Sequence, residues 1–202
     1  QKFTADGTPI TEWGEPPEPD IPAGPGQFNA PSGIAASSSG AIYVVDSGSI
    51  TNPDRVQAFG NSGSALRQFG ATGTGEGQLL DPRGVAVDGA GNIYVVDRGN
   101  WRIQKFGPDG AFVTAWGSQG SGPGQFRELQ GGCAIDDNGN IYVTDEVNKN
   151  VQKFDADGNL VNVISGSRFA SPHSVAVDRD GNVFVTDGRS GSEHILKFTL
   201  GE

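Results

Sequence analysis

The sequence predicts an all-β fold, a β-propeller built from four-stranded antiparallel blades. One segment, "GNIYVVDRGNWRIQKFGPDGAFVTAWG" (91–117), recurs with changes at intervals of about 40 to 50 residues, the usual length of one propeller blade. The apolar runs are only about four or five residues long, and 32 glycines and 12 prolines punctuate the chain. Turn residues this dense, between short apolar runs, favour many short strands over helices or disorder.

Each repeat contains the pattern of four strands. The first is rich in small and β-branched residues, as in "GVAVD" and "SVAVD", which suits crowding around an axis. A glycine-containing turn leads to a second strand that ends in an aspartate, as in "IYVVD". The third strand, as in "RIQKF", alternates apolar and polar residues, and a fourth follows it. The aspartates that end the second strands are Asp46, Asp97, Asp145 and Asp187.

Such a sheet cannot bury both of its faces alone. Radial stacking of the sheets buries these faces against each other and leaves only short edges, which is the propeller solution. We therefore expect the large aromatic residues of the third and fourth strands to pack between blades. These residues are Phe59, Phe69, Phe106 and Trp116.

The number of repeats predicts an incomplete propeller. Residues 1–202 are expected to form a single propeller domain with seventeen strands. Residues 1–13 supply two strands of a preceding blade, and 29–70, 80–117 and 127–165 are blades. Residues 169–200 form a blade that lacks its last strand. About four repeats are thus present, as part of a six-bladed ring to which further blades or attached domains would belong. A compact four-bladed ring is the alternative.

The pattern "FxxPxGVAVDxxGNIYVVDxxNxRIQKFxxDG" resembles the NHL repeat, most closely at residues 79–117 and 125–155. This resemblance implies a β-propeller, commonly six-bladed. It also implies an interaction domain, since NHL propellers serve that role in ubiquitin ligases and bacterial sensor kinases. One architecture carries many unrelated sites, so the resemblance specifies the fold better than the function.

The composition of the chain argues against several classes of function. Fourteen Lys and Arg against 24 Asp and Glu give a net charge of −10, which disfavours nucleic acid as the main ligand. No apolar run reaches the ~18 residues of a membrane span, so no membrane insertion is expected. Cys133 is the single cysteine in the sequence, so no internal disulfide can form. It is predicted to be a small core residue. The bias towards Gly, Asp, Ser and Thr predicts an extracellular or cell-envelope location.

The repeated aspartates have structural interpretations. The turns that begin at Asp136, Asp155 and Asp178 resemble the start of a calcium loop, but the bidentate glutamate twelve positions on is absent from each. They are therefore predicted to be hairpin turns. Asp97, with Asn100 and Arg102, is predicted to form hydrogen bonds within its loop, and Asp145 to do so with Asn148.

His173, in "SPHSVAVD", is placed at the mouth of the central channel. This segment resembles an element of the peptidylglycine amidating lyases, propellers whose channel histidines bind zinc. The corresponding positions in the other repeats hold Ser32, Arg83 and Gly131, and three ligands are normally needed. No cofactor is predicted, and zinc or calcium stays an alternative.

We predict a non-catalytic module that presents the loops of one propeller face to a protein, peptide or glycan. Trp101 either anchors the partner or fills a gap between repeats. The alternative is a metal-dependent lyase or lactonase-like enzyme with its site in the axial channel. The predicted binding residues are Arg83, Arg98, Asn100, Trp101, Lys149, His173 and Arg189, and Ser32, Ser47 and Glu146 lie on the same face.

Overall fold

A computed structural model describes residues 1–16, 23–49, 52–188 and 193–199. Within these residues the chain is all-β, with seventeen strands as predicted and one short 3₁₀ helix at Arg98–Asn100. The first strands are β1 (Lys2–Phe3), β2 (Pro9–Thr11), β3 (Ala30–Ala36), β4 (Ile42–Ser47), β5 (Arg55–Phe59), β6 (Ala65–Phe69), β7 (Pro82–Val87), β8 (Ile93–Asp97) and β9 (Arg102–Phe106). The others are β10 (Phe112–Trp116), β11 (Cys133–Ile135), β12 (Ile141–Asp145), β13 (Asn150–Phe154), β14 (Leu160–Ser165), β15 (Pro172–Val177), β16 (Asn182–Asp187) and β17 (His194–Thr199).

The strands form separate antiparallel sheets in which sequence neighbours pair. β3–β6, β7–β10 and β11–β14 are four-stranded sheets, here named blades I, II and III. β15–β17 form a three-stranded sheet, blade IV, and β1–β2 form a two-stranded hairpin. Neighbours pair in every blade because each connection within a blade is short enough for a hairpin or a small loop. The β-propeller of antiparallel blades that the sequence predicts is therefore present.

The first strands of the blades, β3, β7, β11 and β15, lie side by side around a common axis. Small residues allow this approach. A Cβ atom added at Gly84 would lie 2.0 Å from the carbonyl oxygen of Gly131, and one at Gly132 would lie 2.4 Å from that of His173. Neither position can hold a side chain without moving a backbone, so the predicted crowding at the axis is confirmed.

Aromatic residues hold consecutive blades together. Phe69 on the last strand of blade I packs on Phe106 of blade II, with ring centroids 5.0 Å apart. Trp116 of blade II packs in the same way on Phe154 of blade III, at 5.9 Å. The N-terminal hairpin follows the same rule, because Trp13 lies 6.3 Å from Phe59 of blade I. The predicted packing of aromatics between blades is confirmed. Each such ring removes apolar surface of two blades from water.

The two faces of the wheel carry different connections. One face, the loop face, carries the loops between second and third strands and the linkers that enter each first strand. The opposite turn face carries the tight turns that join strands one to two and three to four. Among the described residues, no helix has the length and apolar character that crossing a membrane requires.

Candidate functional site

The loop face bears a continuous polar network, here called the rim, which runs across blades II, III and IV. Its members come from the linkers that enter the first strands, from the start of first strand β7 and from the loops that leave the second strands. They are Asp81, Arg83, Arg98, Glu128, Gln130, Glu146 and Ser171.

Arg98 joins blade II to the linker of blade III. Its Nε donates to Glu128 Oε1 at 2.8 Å, and its Nη1 pairs with Asp81. The hydrogen bond with Glu128, followed by that with Asp81, raises the pKa of Arg98 above its ordinary value. Because Arg98 already binds both carboxylates, its main role is to hold the loop of blade II against the linkers that carry Asp81 and Glu128.

The network continues through blade III to blade IV. Gln130 donates from Nε2 to Glu146 Oε2 at 2.7 Å, and Ser171 Oγ donates to Glu146 Oε1 at 2.6 Å. Hydrogen bonds to a charged carboxylate are stronger than neutral ones, so this glutamate holds two loops from different blades in register. The rim is thus organised before any partner is present.

Arg83 lies where the rim meets the axis. Its Nη2 lies 3.0 Å from Asp81 Oδ1, and 41% of its side chain is exposed. Its Nε is buried and has no hydrogen-bond partner among the described residues. Arg83 also lines an axial cavity of about 380 Å³ formed by first-strand residues, together with Ser32 and His173. The structure therefore brings three of the residues on the predicted face to one cavity.

Asn100 and Trp101 serve the loop itself. Asn100 Nδ2 donates to Gly73 O and to Asp97 Oδ2, both at 2.9 Å. Trp101 adopts a left-handed conformation with φ of 50° and packs, half-buried, on the core between blades II and III. Of the two interpretations offered for Trp101, the structure favours the one that fills a gap between repeats.

Lys149 occupies in blade III the place of Trp101 in blade II. It has a φ of 54°, close to that of Trp101, but its side chain is exposed. The preceding Asn148 repeats the bonds of Asn100, because its Nδ2 donates to Gly120 O at 3.0 Å and to Asp145 Oδ2 at 2.8 Å. The same loop scaffold therefore presents an apolar side chain inward in one blade and a cation outward in the next.

Asp97 and Asp145 form the hydrogen bonds predicted within their loops. All four aspartates that end the second strands also bind the incoming linkers, which the sequence did not predict. Each accepts a hydrogen bond from a backbone N–H near the start of its own blade. Asp97 accepts from Leu80 N at 2.7 Å, and Asp145 accepts from Arg127 N at 2.7 Å. Asp97 also accepts from Arg102 Nε at 2.7 Å. Their carboxylates are fully buried and committed to the fold.

The two histidines share a second cavity, which the sequence reasoning did not foresee. His173 is exposed, and its Nδ1 lies 2.7 Å from Ser171 O. It lines a cavity of about 470 Å³ together with Asp187, Glu193 and His194. His194 pairs in register with Asp187, as Arg102 does with Asp97 in blade II. It therefore occupies the position of a structural arginine.

The remaining residues of the predicted face are Ser32, Ser47, Glu146 and Arg189. Ser32 and Ser47 donate to Pro82 O at 3.2 and 2.7 Å, so both hydroxyls tie blade I to blade II. Glu146 belongs to the rim. Arg189 lies outside the described residues.

The described part of the chain contains no cluster of side chains that would support the alternative of a zinc or calcium site. No three His, Cys, Asp or Glu side chains come together there in a way that would hold an ion, so the residues do not fit a zinc centre. The Asp136 carboxylate is used by its own hairpin, where it accepts from Asn140 N at 2.9 Å and Tyr142 Oη at 3.0 Å. Burial raises the pKa of the Cys133 thiol to about 12, which agrees with a core role rather than a nucleophile.

A match to a family model shows the protein family to which the chain belongs. The model described as 6-bladed beta-propeller (DUF5128) matches residues 89–199, more than half of the chain. The chain belongs to the 6-bladed beta-propeller family. A further model, described as beta-propeller repeat, matches residues 66–96 of this 6-bladed beta-propeller family member.

Curated relatives agree with the NHL resemblance. The propeller is 31% identical over 103 residues, 50% of the chain, to NHL repeat-containing protein 3 of Homo sapiens. It is 42% identical over 74 residues, 36% of the chain, to Protein brain tumor of Drosophila melanogaster. The matched stretches span 29% of the human protein and 7% of the fly protein. The NHL-repeat resemblance is confirmed, and the chain corresponds to only part of these relatives.

Solved structures share the architecture. A gluconolactonase from Xanthomonas campestris superposes with a TM-score of 0.62 at 21% identity, covering 92% of this chain and 61% of that one. Virginiamycin B lyase from Staphylococcus aureus superposes with a TM-score of 0.60 at 14% identity, covering 85% and 56%. At these identities the likeness shows the fold alone.

Sequence reasoning missed much of the rim of this propeller. Asp81, Glu128, Gln130 and Ser171 lie at or near the linkers that enter each first strand, where the repeats differ most. No alignment of repeats singles them out. For His194 a signal existed, since it stands four residues before the third-strand Phe198, as Arg102 stands four residues before Phe106 in blade II.

Proposed function

We propose that this propeller is a non-catalytic binding module that uses the rim and the axial cavity to hold a protein or peptide segment. The resemblance to the NHL repeat, which a curated relative shares by name, supports an interaction module. One observation carries the proposal. The rim fixes loops from three blades through charge-assisted hydrogen bonds, while its member Arg83 keeps 41% of its side chain exposed and Lys149 is exposed beside it.

Rigidity matters for binding because the loops need not be ordered when the partner arrives. The linkers are fixed by the buried aspartates, and the rim then fixes their outer side chains. A surface organised in this way loses little conformational entropy on association. The exposed cation Lys149, which has no place in the rim, can therefore contribute its charge to affinity.

The charge of the face indicates the chemistry of the partner. The whole chain carries a net charge of −10. On the loop face, however, the side chain of Lys149 is exposed, whereas the acidic rim residues Asp81, Glu128 and Glu146 are already engaged by hydrogen bonds within the rim. Leu80 and Val147 add exposed apolar surface, at 36% and 46% exposure. An acidic segment with apolar residues fits this balance better than a basic one.

We expect peptides selected on the full chain from a display library to be enriched in Asp and Glu. Their affinity should fall at least about tenfold for Arg83→Gln combined with Lys149→Glu, because cations near the centre of an interface act as anchors. Arg179→Glu, which changes an exposed arginine on the turn face, serves as the matched control. Isothermal titration at two salt concentrations measures the effect, and circular dichroism checks the fold.

Equal affinities for the double variant and the wild type would contradict a site on the rim. Selected peptides that are basic, or binding that does not weaken with added salt, would contradict the charge argument.

A metal-dependent lyase or lactonase is the second candidate. The cavity that His173 and His194 share is where such a site would lie, although the described residues form no metal-binding cluster there. Titration of the chain with zinc and with calcium, followed by assays on lactone and glycosidic or ester-linked substrates, tests it. One metal ion per chain, lost in His173→Ala together with a turnover, would replace the binding proposal.

A further inference from the structure

The turn face of blade I lacks a set of side chains that blades II and III share. In blade II the first turn holds Asp88, which accepts from Asn92 Nδ2 at 2.8 Å and from the Tyr94 hydroxyl at 3.0 Å. Lys105 lies over the same tyrosine, with its Nζ 5.4 Å from the ring centroid. Aspartate, asparagine, tyrosine and lysine thus form one polar cluster at this end of the blade.

Blade III repeats the cluster without change. Asp136 accepts from Asn140 Nδ2 at 2.8 Å and from the Tyr142 hydroxyl at 3.0 Å. Lys153 lies over the Tyr142 ring at 5.0 Å from its centroid. In both blades the hydroxyl group of the buried tyrosine therefore donates a hydrogen bond to a carboxylate of its own chain.

Blade I keeps the tyrosine and loses the other three side chains. Ser37 stands at the aspartate position, Ala41 at the asparagine position, and Ala58 pairs in register with Tyr43 where the lysine stands elsewhere. Tyr43 is only 5% exposed. No hydrogen bond links its hydroxyl to any residue that the structure describes, because the shorter serine bonds within its own turn instead.

Two of the smaller side chains, Ser37 and Ala41, line a cavity of about 570 Å³ together with Tyr43. The hydrogen bond from this end of the blade to the next blade also comes from a different residue in blade I. Lys105 of blade II donates from Nζ to Ala156 O of blade III at 2.8 Å. In blade I the corresponding bond to Pro108 O comes from Arg67, the cross-strand partner of Ala58. This arginine lines the cavity, and among its described lining residues there is no Asp or Glu.

We propose that this cavity binds a small solute bearing a carboxylate, which takes the place of the missing aspartate. Its carboxylate would accept from the Tyr43 hydroxyl, as Asp88 and Asp136 do in their blades, and from the guanidinium of Arg67. One N–H of that guanidinium is used on Pro108 O, and the others remain for the ligand. The volume accommodates a six-carbon sugar acid. The site lies on the turn face, away from the rim, and does not depend on the proposed function.

The probes are D-glucuronate, acetate and D-glucose, added to the ¹⁵N-labelled chain at constant ionic strength. We expect glucuronate, and acetate less tightly, to shift the amide signals of residues 37–41 and 67 in a saturable manner. Glucose, which differs from glucuronate by the carboxylate, should not. Ser37→Asp supplies the carboxylate internally and should weaken glucuronate binding at least about tenfold, because the tyrosine hydroxyl is then occupied.

Tyr43→Phe and Arg67→Gln should each weaken the binding several-fold to about tenfold, whereas Arg179→Gln, an exposed arginine in the first turn of blade IV, should leave it unchanged. The Ser37→Asp variant restores a native interaction of the other blades and is expected to fold. Absence of saturable shifts with either carboxylate would overturn the proposal. Equal binding of glucose, or glucuronate binding that survives Ser37→Asp, would do the same.

Discussion

At the residue scale, the turn aspartates show how one side chain can define a local structure. Burial opposes the ionisation of Asp136, but hydrogen bonds from Asn140 and Tyr142 and the charge of Lys153 outweigh it and hold the pKa below its ordinary value of 3.8. The pKa of Asp88 is lowered in the same way, against burial, by its bonds with Asn92 and Tyr94. Both carboxylates therefore stabilise the fold in their ionised form.

We predict that Asp136→Asn lowers the free energy of unfolding by about 2 kcal/mol at neutral pH, the scale of hydrogen bonds to a charged group. Because the folded pKa is depressed, this stability is present above pH 3.8 and is lost as the pH falls through the lowered pKa. Urea unfolding at neutral pH and at about pH 3 should show the difference between variant and wild type shrinking. Asp137→Asn, at an exposed neighbour, should show little difference at either pH.

At the scale of the element, the tight turns both reverse the chain and receive the neighbouring blade. Gly158 has a φ of 86°, and a Cβ atom there would lie 2.6 Å from the Trp116 ring. Gly110 meets Phe69 in the same way at 2.8 Å. The glycine of the turn between the third and fourth strands is thus needed for its backbone conformation and for the aromatic ring against it.

We predict that Gly158→Ala destabilises the chain by about 2 to 4 kcal/mol, from left-handed strain plus displacement of the indole. Gly181→Ala, with a φ of 79° and open space around its Cβ, should cost only the strain, about 1 kcal/mol. Thermal and chemical unfolding of both variants measure the two costs. Equal losses would mean that the ring contact contributes nothing.

At the scale of the whole molecule, stability depends on interfaces between consecutive blades, as in other repeat architectures. The interfaces of blades I and II and of blades II and III repeat one arrangement, in which the last aromatic of a blade covers the third-strand phenylalanine and the turn glycine of the next. In blade III, Ile164 stands at the position of that aromatic. The wheel is therefore held by a few large rings, while the rim and the ties from Ser47 and Lys105 set the angular register of the blades.

We predict that Trp116→Ala lowers the free energy of unfolding by about 3 kcal/mol, since it empties the interface of blades II and III. Trp116→Phe should stay within about 1 kcal/mol of the wild type. Phe69 fills the corresponding place between blades I and II, and the buried indole Nε1 has no hydrogen-bond partner among the described residues. Guanidinium unfolding measures both, with exposed Val113→Ala as the control. A loss with phenylalanine as large as that with alanine would contradict the assigned role.

The sequence by itself determined the repeat, the seventeen strands, the aspartate-bearing turns and the aromatics between blades. These features follow from patterns within one repeat, where the spacing of apolar and turn residues dictates the local backbone. Only the tertiary structure decided which side chains from different blades meet. It joined Arg98 to Glu128 and Glu146 to Ser171 across linkers that do not align, and it brought His194 to the cavity of His173. It also showed the cavity at Tyr43, because a void depends on the volume missing from several strands at once, which no single stretch of sequence records.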